Sequence, residues 1–170
     1  MTLPFLEKIN GKDAFFDEKI HKMLIQTGTY TELEIVQFAL KNGGYRMPKF
    51  EQTPKLHTIR EDKNDRWKVG MKVHPVYNNR TKDRYQFAPT FECKGIQRIE
   101  IIHFKMTIPQ GLVKVWIKID GKLFYDIDDT LIENLKLLAK NDGFKSIDEF
   151  FGYFNKDFKG KIIHFTDLKY

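Results

Sequence analysis

Hydrophobic and polar positions change rhythm twice along this chain. Near the start, Phe16, Ile20, Met23 and Leu24 recur at helical spacing behind Asp13, which the pattern places as the helix cap. Thr27-Gly28-Thr29 breaks that helix. Thr31 and Glu34 then form a capping-box pattern ahead of Leu33, Val36, Phe38 and Leu40, and Asn42-Gly43-Gly44 ends the second helix. Residues 45–53 are polar and basic and read as a loop into Lys55-Leu56-His57-Thr58-Ile59-Arg60, a partly buried extended segment.

The second half is strand-rich. Val69 to Tyr77 reads as a strand weakened by Pro75, with a basic, turn-prone loop from Asn78 to Arg84 after it. Phe91 to Phe104 predicts one long strand, or two with a bend. Residues 113–119 alternate apolar and polar up to Trp116 and Ile117, with Trp116 expected in the core. Asp120-Gly121 and Lys122-Leu123-Phe124-Tyr125 complete a hairpin signal. Asp128 or Asp129 is expected to cap a helix carrying Leu131, Leu135 and Leu138 that ends near Asn141. Ser146 to Glu149 is a capping box for a short Phe-rich helix, and Lys161 to Phe165 closes as a strand. Helices, then strands, then helices and a last strand fit an α+β class with a mostly antiparallel sheet or small barrel. The returning C-terminal strand is easiest to place if it closes a barrel.

Length and composition fit one folded domain: 170 residues, 41% apolar and 31% charged, with 15 Phe against 2 Trp. Net charge is +6, and it is concentrated. Between Lys41 and Arg84 stand twelve Lys or Arg and five acids, a local balance of +7. Such a middle is a footprint for a polyanion or phosphate ligand, or a solubility surface. The lone Cys93 allows no internal disulfide and fits a reducing cytoplasm. No transmembrane run and no signal peptide are expected, so a membrane partner is not.

In the extended segment, alternation puts Thr58 and Arg60 on one face and His57 and Ile59 on the other. A bend at Pro54 would let Lys55 join Thr58. A lysine beside a threonine is either a base beside a hydroxyl, which requires a lowered lysine pKa, or two donors for an anion. Trp67 either stacks on a base or packs over a barrel end. Tyr77, Arg80 and Arg84 offer stacking and phosphate contacts on a loop. The five histidines show no metal-ligand spacing and the acids at Asp126, Asp128 and Asp129 suit a helix N-terminus, so neither metal nor cofactor is expected.

Three elements in order carry a resemblance: Lys55-x-x-Thr58-x-Arg60, Trp67-x-x-Gly70, and Ala139-Lys140-Asn141-Asp142-Gly143-Phe144 before a short helix. Together they resemble the ASCH domains of the PUA-like superfamily of small β-barrels, from Lys55 to the C-terminus. The resemblance implies a PUA-like barrel with flanking helices (45–170), a helical N-terminal extension (1–44), and a cleft beside the barrel that binds RNA or a modified pyrimidine nucleoside. One branch of the family is an amidohydrolase that deacetylates N4-acetylcytidine. Carried over, its proton acceptor falls on Lys55, its nucleophile on Thr58 and its proton donor on Asp142, where the family has glutamate. Pro54 also replaces the usual glycine-containing loop. His57, Arg60, Trp67, Arg80 and Arg84 are the expected ligand contacts. A third reading is a protein-interaction module whose partner surface is the N-terminal helices.

Overall fold

The computed structural model describes residues 1–9, 11–42, 52–105, 113–126 and 132–170. Its elements run β1 (Thr2–Pro4), β2 (Lys8–Ile9), β3 (Lys12–Asp13), α1 (Phe16–Gln26), α2 (Glu32–Lys41), β4 (His57–Arg60), β5 (Lys72–Tyr77), β6 (Tyr85–Gln86), β7 (Phe91–Glu92), β8 (Gly95–Lys105), β9 (Val113–Ile119), β10 (Lys122–Tyr125), α3 (Ile132–Asn141), α4 (Ile147–Tyr153) and β11 (Phe158–His164). The class is α+β.

The main sheet has the order β10-β9-β8-β11-β4, with antiparallel pairing throughout. The period-2 pattern of β9 holds through its middle: Val115, Ile117 and Ile119 face the core. Trp116 does not join them. It lies half-buried on the other face, edge-on to Phe104 at 4.6 Å. Asp120 (φ 50°) and Gly121 (φ 80°) make the tight turn into β10 that the sequence marks.

Among the described residues β11 is not seen to close a barrel. It lies inside the sheet, with Ile163 opposite Thr58 on β4 and opposite Ile96 on β8. Among the described residues no sheet closes on itself; β4 and β10 remain edges.

The N-terminal segment is not only helical. β1 pairs in parallel with β5, Leu3 opposite Pro75, and β2 and β3 form a short hairpin. A proline tolerates this register because Phe5 N–H donates to Val76 O and the Pro75 carbonyl accepts from Phe87 N–H. Asp13 sits in that hairpin and does not cap α1. The residue before the helix, Phe15, is left-handed (φ 53°) and supplies no side-chain cap. The Tyr77 hydroxyl takes that role, accepting from Asp17 N–H at 3.0 Å.

α2 starts at Thr31 with the expected reciprocal box: Glu34 N–H donates to Thr31 Oγ1, and Thr31 N–H to Glu34 Oε2. At α4 only half the box forms, because Glu149 accepts from Lys145 N–H instead of from Ser146. Gly43, Gly44 and residues 45–51, with Asp128, Asp129 and Leu131, lie outside the described residues. One apolar cluster gathers side chains from the sheets and all four helices. No described helix is long and apolar enough to cross a membrane.

Candidate functional site

α3 ends in a Schellman turn. Gly143 N–H donates to Lys140 O and Phe144 N–H to Ala139 O, with Gly143 left-handed at φ 94°. This turn leaves the Asp142 and Gly143 carbonyls pointing at two lysines. Lys55 Nζ donates to the Asp142 carbonyl and Lys19 Nζ to the Gly143 carbonyl at 2.6 Å. A Cβ at Gly143 would lie 3.3 Å from Phe16 Cε1 and 3.5 Å from Lys19 Cδ, so the turn admits only glycine comfortably.

Lys55 is 1% exposed. Its backbone is pinned on both sides: Lys55 N–H donates to Lys19 O, and Leu56 N–H to Asn141 O at 2.8 Å. Its ammonium donates to Asp142 Oδ1 at 2.7 Å, across 87 positions of sequence, and stands 4.9 Å over the Phe16 ring. Burial pulls the Lys55 pKa down, Asp142 opposes the fall, and Arg60 and Lys19 deepen it; the outcome is about 8.

Asp142 is equally enclosed. The same Oδ1 accepts from Ile59 N–H at 3.1 Å, and His57 Nδ1 lies 3.5 Å away, longer than a hydrogen bond. Burial pushes this carboxyl up, but Lys55 and His57 outweigh it and hold it below the ordinary carboxylate range. The pair is therefore a carboxylate and a cation whose proton is loosely held.

Thr58 and Arg60 line one small cavity with Lys55 and Asp142, of about 20 Å³. The Thr58 side chain has no hydrogen-bond partner among the described residues. Arg60 donates to Pro4 O at 2.8 Å, stacks 5.3 Å over Phe5, and keeps a buried Nε without a partner among the described residues. The structure thus brings together Lys55, Thr58, Arg60 and Asp142.

It does not bring in the other expected contacts. His57 is fully buried, with Nε2 2.7 Å from the Tyr170 hydroxyl, which also accepts from Asn141 Nδ2 at 2.9 Å. A Tyr170 proton donated to Nε2 leaves Nδ1–H facing Asp142, and His57 does not line the cavity. Burial pulls the His57 pKa down, against Asp142. Trp67 is 6% exposed and belongs to the core, so its indole is no platform for an external base. Only its backbone is polar currency: Trp67 N–H binds Asp62 Oδ2, and its carbonyl accepts from Lys161. Arg80 and Arg84 are exposed on the β5–β6 loop and do not line the cavity.

Lys19 and Tyr170 escaped the sequence reading, and Asn141 and Gly143 entered it only as motif neighbours of Asp142 with no role of their own. Lys19 had a signal: it sits on the same face of α1 as Phe16, Ile20 and Met23, where a solvated lysine has no place. Tyr170 had none. Next to the small cavity, and sharing Phe144 with it, lies a cleft of about 540 Å³ whose described lining includes Lys19, Lys136, Lys140 and Lys145. Among the described residues no group of three or more His, Cys, Asp or Glu is gathered as a metal site. Compared with known proteins, the chain matches no family model, no curated protein and no solved structure.

Proposed function

We propose that this chain is an ASCH-like module of the PUA-like class that recognises RNA or a modified pyrimidine nucleoside at the Lys55 cavity. One observation carries the reading: Asp142, remote in sequence, converges with Lys55, Thr58 and Arg60 of one short segment around a buried lysine of depressed pKa. A desolvated charge pair with a specific partner beside a cavity is the physical signature of a functional site. The antiparallel sheet, with the second small sheet sharing its core, supports the PUA-like reading of the fold. A cavity of about 20 Å³ holds roughly one water. Entry of a pyrimidine ring therefore requires Leu6 and Tyr153, which line the cavity and are exposed, to swing outward.

Equilibrium binding of N4-acetylcytidine, cytidine and a short pyrimidine RNA tests this. Thr58→Ala and Arg60→Ala are each expected to weaken binding by about tenfold, one lost polar contact apiece. Affinities equal to the unaltered protein overturn the reading.

A second reading, deacylation of an N-acylated pyrimidine nucleoside, is favoured by the lysine itself. With a pKa of about 8, roughly one Lys55 in ten is neutral at pH 7 and able to take a proton. The neutral amine would accept the Thr58 proton as Oγ1 attacks the acyl carbon. Asp142 is ionised and has no proton to give, so the departing amine would collect the proton from Lys55, and water would then hydrolyse the acyl-threonine. Release of cytidine from N4-acetylcytidine, abolished in Thr58→Ala, is the expected result. Turnover that survives Thr58→Ala removes the nucleophile from the scheme.

A further inference from the structure

The lysine-lined cleft has a charge pattern of its own. Lys19 comes from α1, Lys136 and Lys140 from α3, and Lys145 from the turn before α4. No Asp or Glu is among its described lining residues. Lys19 is used on the Gly143 carbonyl, and Lys136 pairs with Glu133 at the surface, where such a pair is weak. Lys140 and Lys145 make no side-chain ion pair among the described residues; the Lys145 ammonium stands 5.9 Å from the Phe15 ring, and the Lys145 backbone N–H donates to Glu149. Glu149 stands close enough to Lys19 to raise its affinity for a proton, but does not line the cleft.

The helix dipole accounts for cations in the last turn of α3. It does not account for Lys145, which follows the turn, or for all four converging on one hollow. Like charges gathered in a concavity repel unless an anion sits among them. The volume falls in the range of small-ligand sites and exceeds what a single inorganic anion fills. The described lining contains lysines and no arginine, so it offers point charges without the planar fork that selects carboxylates.

We propose that this cleft is a binding site for a phosphoryl oligoanion, meaning consecutive phosphates either of a polynucleotide backbone or of a free polyphosphate. The site is distinct from the Lys55 cavity. Phosphates contact the ammonium groups of Lys136, Lys140 and Lys145, and the apolar wall of Ala139, Phe144 and Ile147 lies against the chain between them.

The probes are sodium tripolyphosphate, a short single-stranded RNA and unphosphorylated cytidine, titrated at low salt against the full chain. Tripolyphosphate is expected to bind, and the double reversal K136E/K140E to weaken it by at least about tenfold, with an affinity that falls as salt rises. Both substituted side chains are exposed, and far-UV circular dichroism confirms that the variant is folded. A reversal of equal charge on the β5–β6 loop, K82E/R84E, is expected to have less than a threefold effect. RNA competing for tripolyphosphate points to a backbone as the source; tripolyphosphate binding without RNA competition points to a free polyphosphate. Failure of tripolyphosphate to bind overturns the proposal. So does a loss in K82E/R84E equal to that in K136E/K140E, which would mean net charge and no site. Cytidine is expected not to compete, whatever it does at Lys55.

Discussion

Lys55 and Asp142 decide what a single substitution does here. Removing one partner of a buried ion pair strands the other, at a cost of roughly 3–5 kcal/mol. Lys55→Met and Asp142→Asn are each expected to lower stability by that order in urea unfolding. The double variant is expected to recover much of the loss, because nothing charged is left behind. Equal, additive losses would show that the pair is not coupled. Three buried histidines set the acid limit. His21, His57 and His164 all have pKa values pulled down by burial, His164 to about 3. Below pH 6.5 the unfolded chain takes up protons that the folded chain refuses, so stability falls as pH drops. The slope is up to roughly 1.4 kcal/mol per pH unit for each histidine. His164→Gln is expected to flatten the fall in melting temperature between pH 6.5 and 5, and an unchanged slope would clear His164.

At the scale of elements, the Lys55 segment is held by β11 on one side and the α3 turn on the other. Gly160 of β11 leaves no room for a side chain: a Cβ there would lie 2.3 Å from the Arg60 carbonyl. Gly160→Ala is expected to disturb the β4–β11 pairing and weaken ligand binding along with stability. Thr31→Ala removes the α2 capping box and costs about 1 kcal/mol, with binding untouched, since Thr31 does not line the cavity. Loss of binding in Thr31→Ala would mean that α2 matters to the site. The capping boxes, the Asp120-Gly121 hairpin and the α3 end were legible because each is a local rule written in adjacent residues. β1 was not, because three residues, Thr2-Leu3-Pro4, carry no strand pattern and its partner β5 lies some seventy residues away. The position of β11 inside the sheet was hidden for the same reason: pairing across distant strands leaves no local trace.

For the molecule as a whole, the basic middle is not one surface. Lys55 is buried, Arg60 is tied to Pro4 and Phe5, and Arg80 and Arg84 stand apart on a loop. The lysine-lined cleft draws all four of its described lysines, Lys19, Lys136, Lys140 and Lys145, from outside that middle. A count along the sequence could find the excess charge but not where folding collects it. The Lys55, Thr58 and Asp142 grouping was readable because the motif order carried it. The burial of Trp67 and His57 was not, since single residues in polar stretches say little about the core. Trp67→Phe is expected to leave RNA affinity within about twofold while altering stability, as a core aromatic does when its shape changes. A large loss of affinity at unchanged stability would return Trp67 to the ligand surface.

The central claim is that the Lys55 cavity takes the ligand. The most direct test follows the Lys55 side-chain Cε resonance by NMR, assigned by comparison with Lys55→Met, as N4-acetylcytidine is titrated in. The account predicts a saturable shift of that resonance and a changed Lys55 pKa in the complex, both reduced in Thr58→Ala. Ligand binding that leaves the Lys55 resonance where it was, or no binding at millimolar ligand, would contradict it.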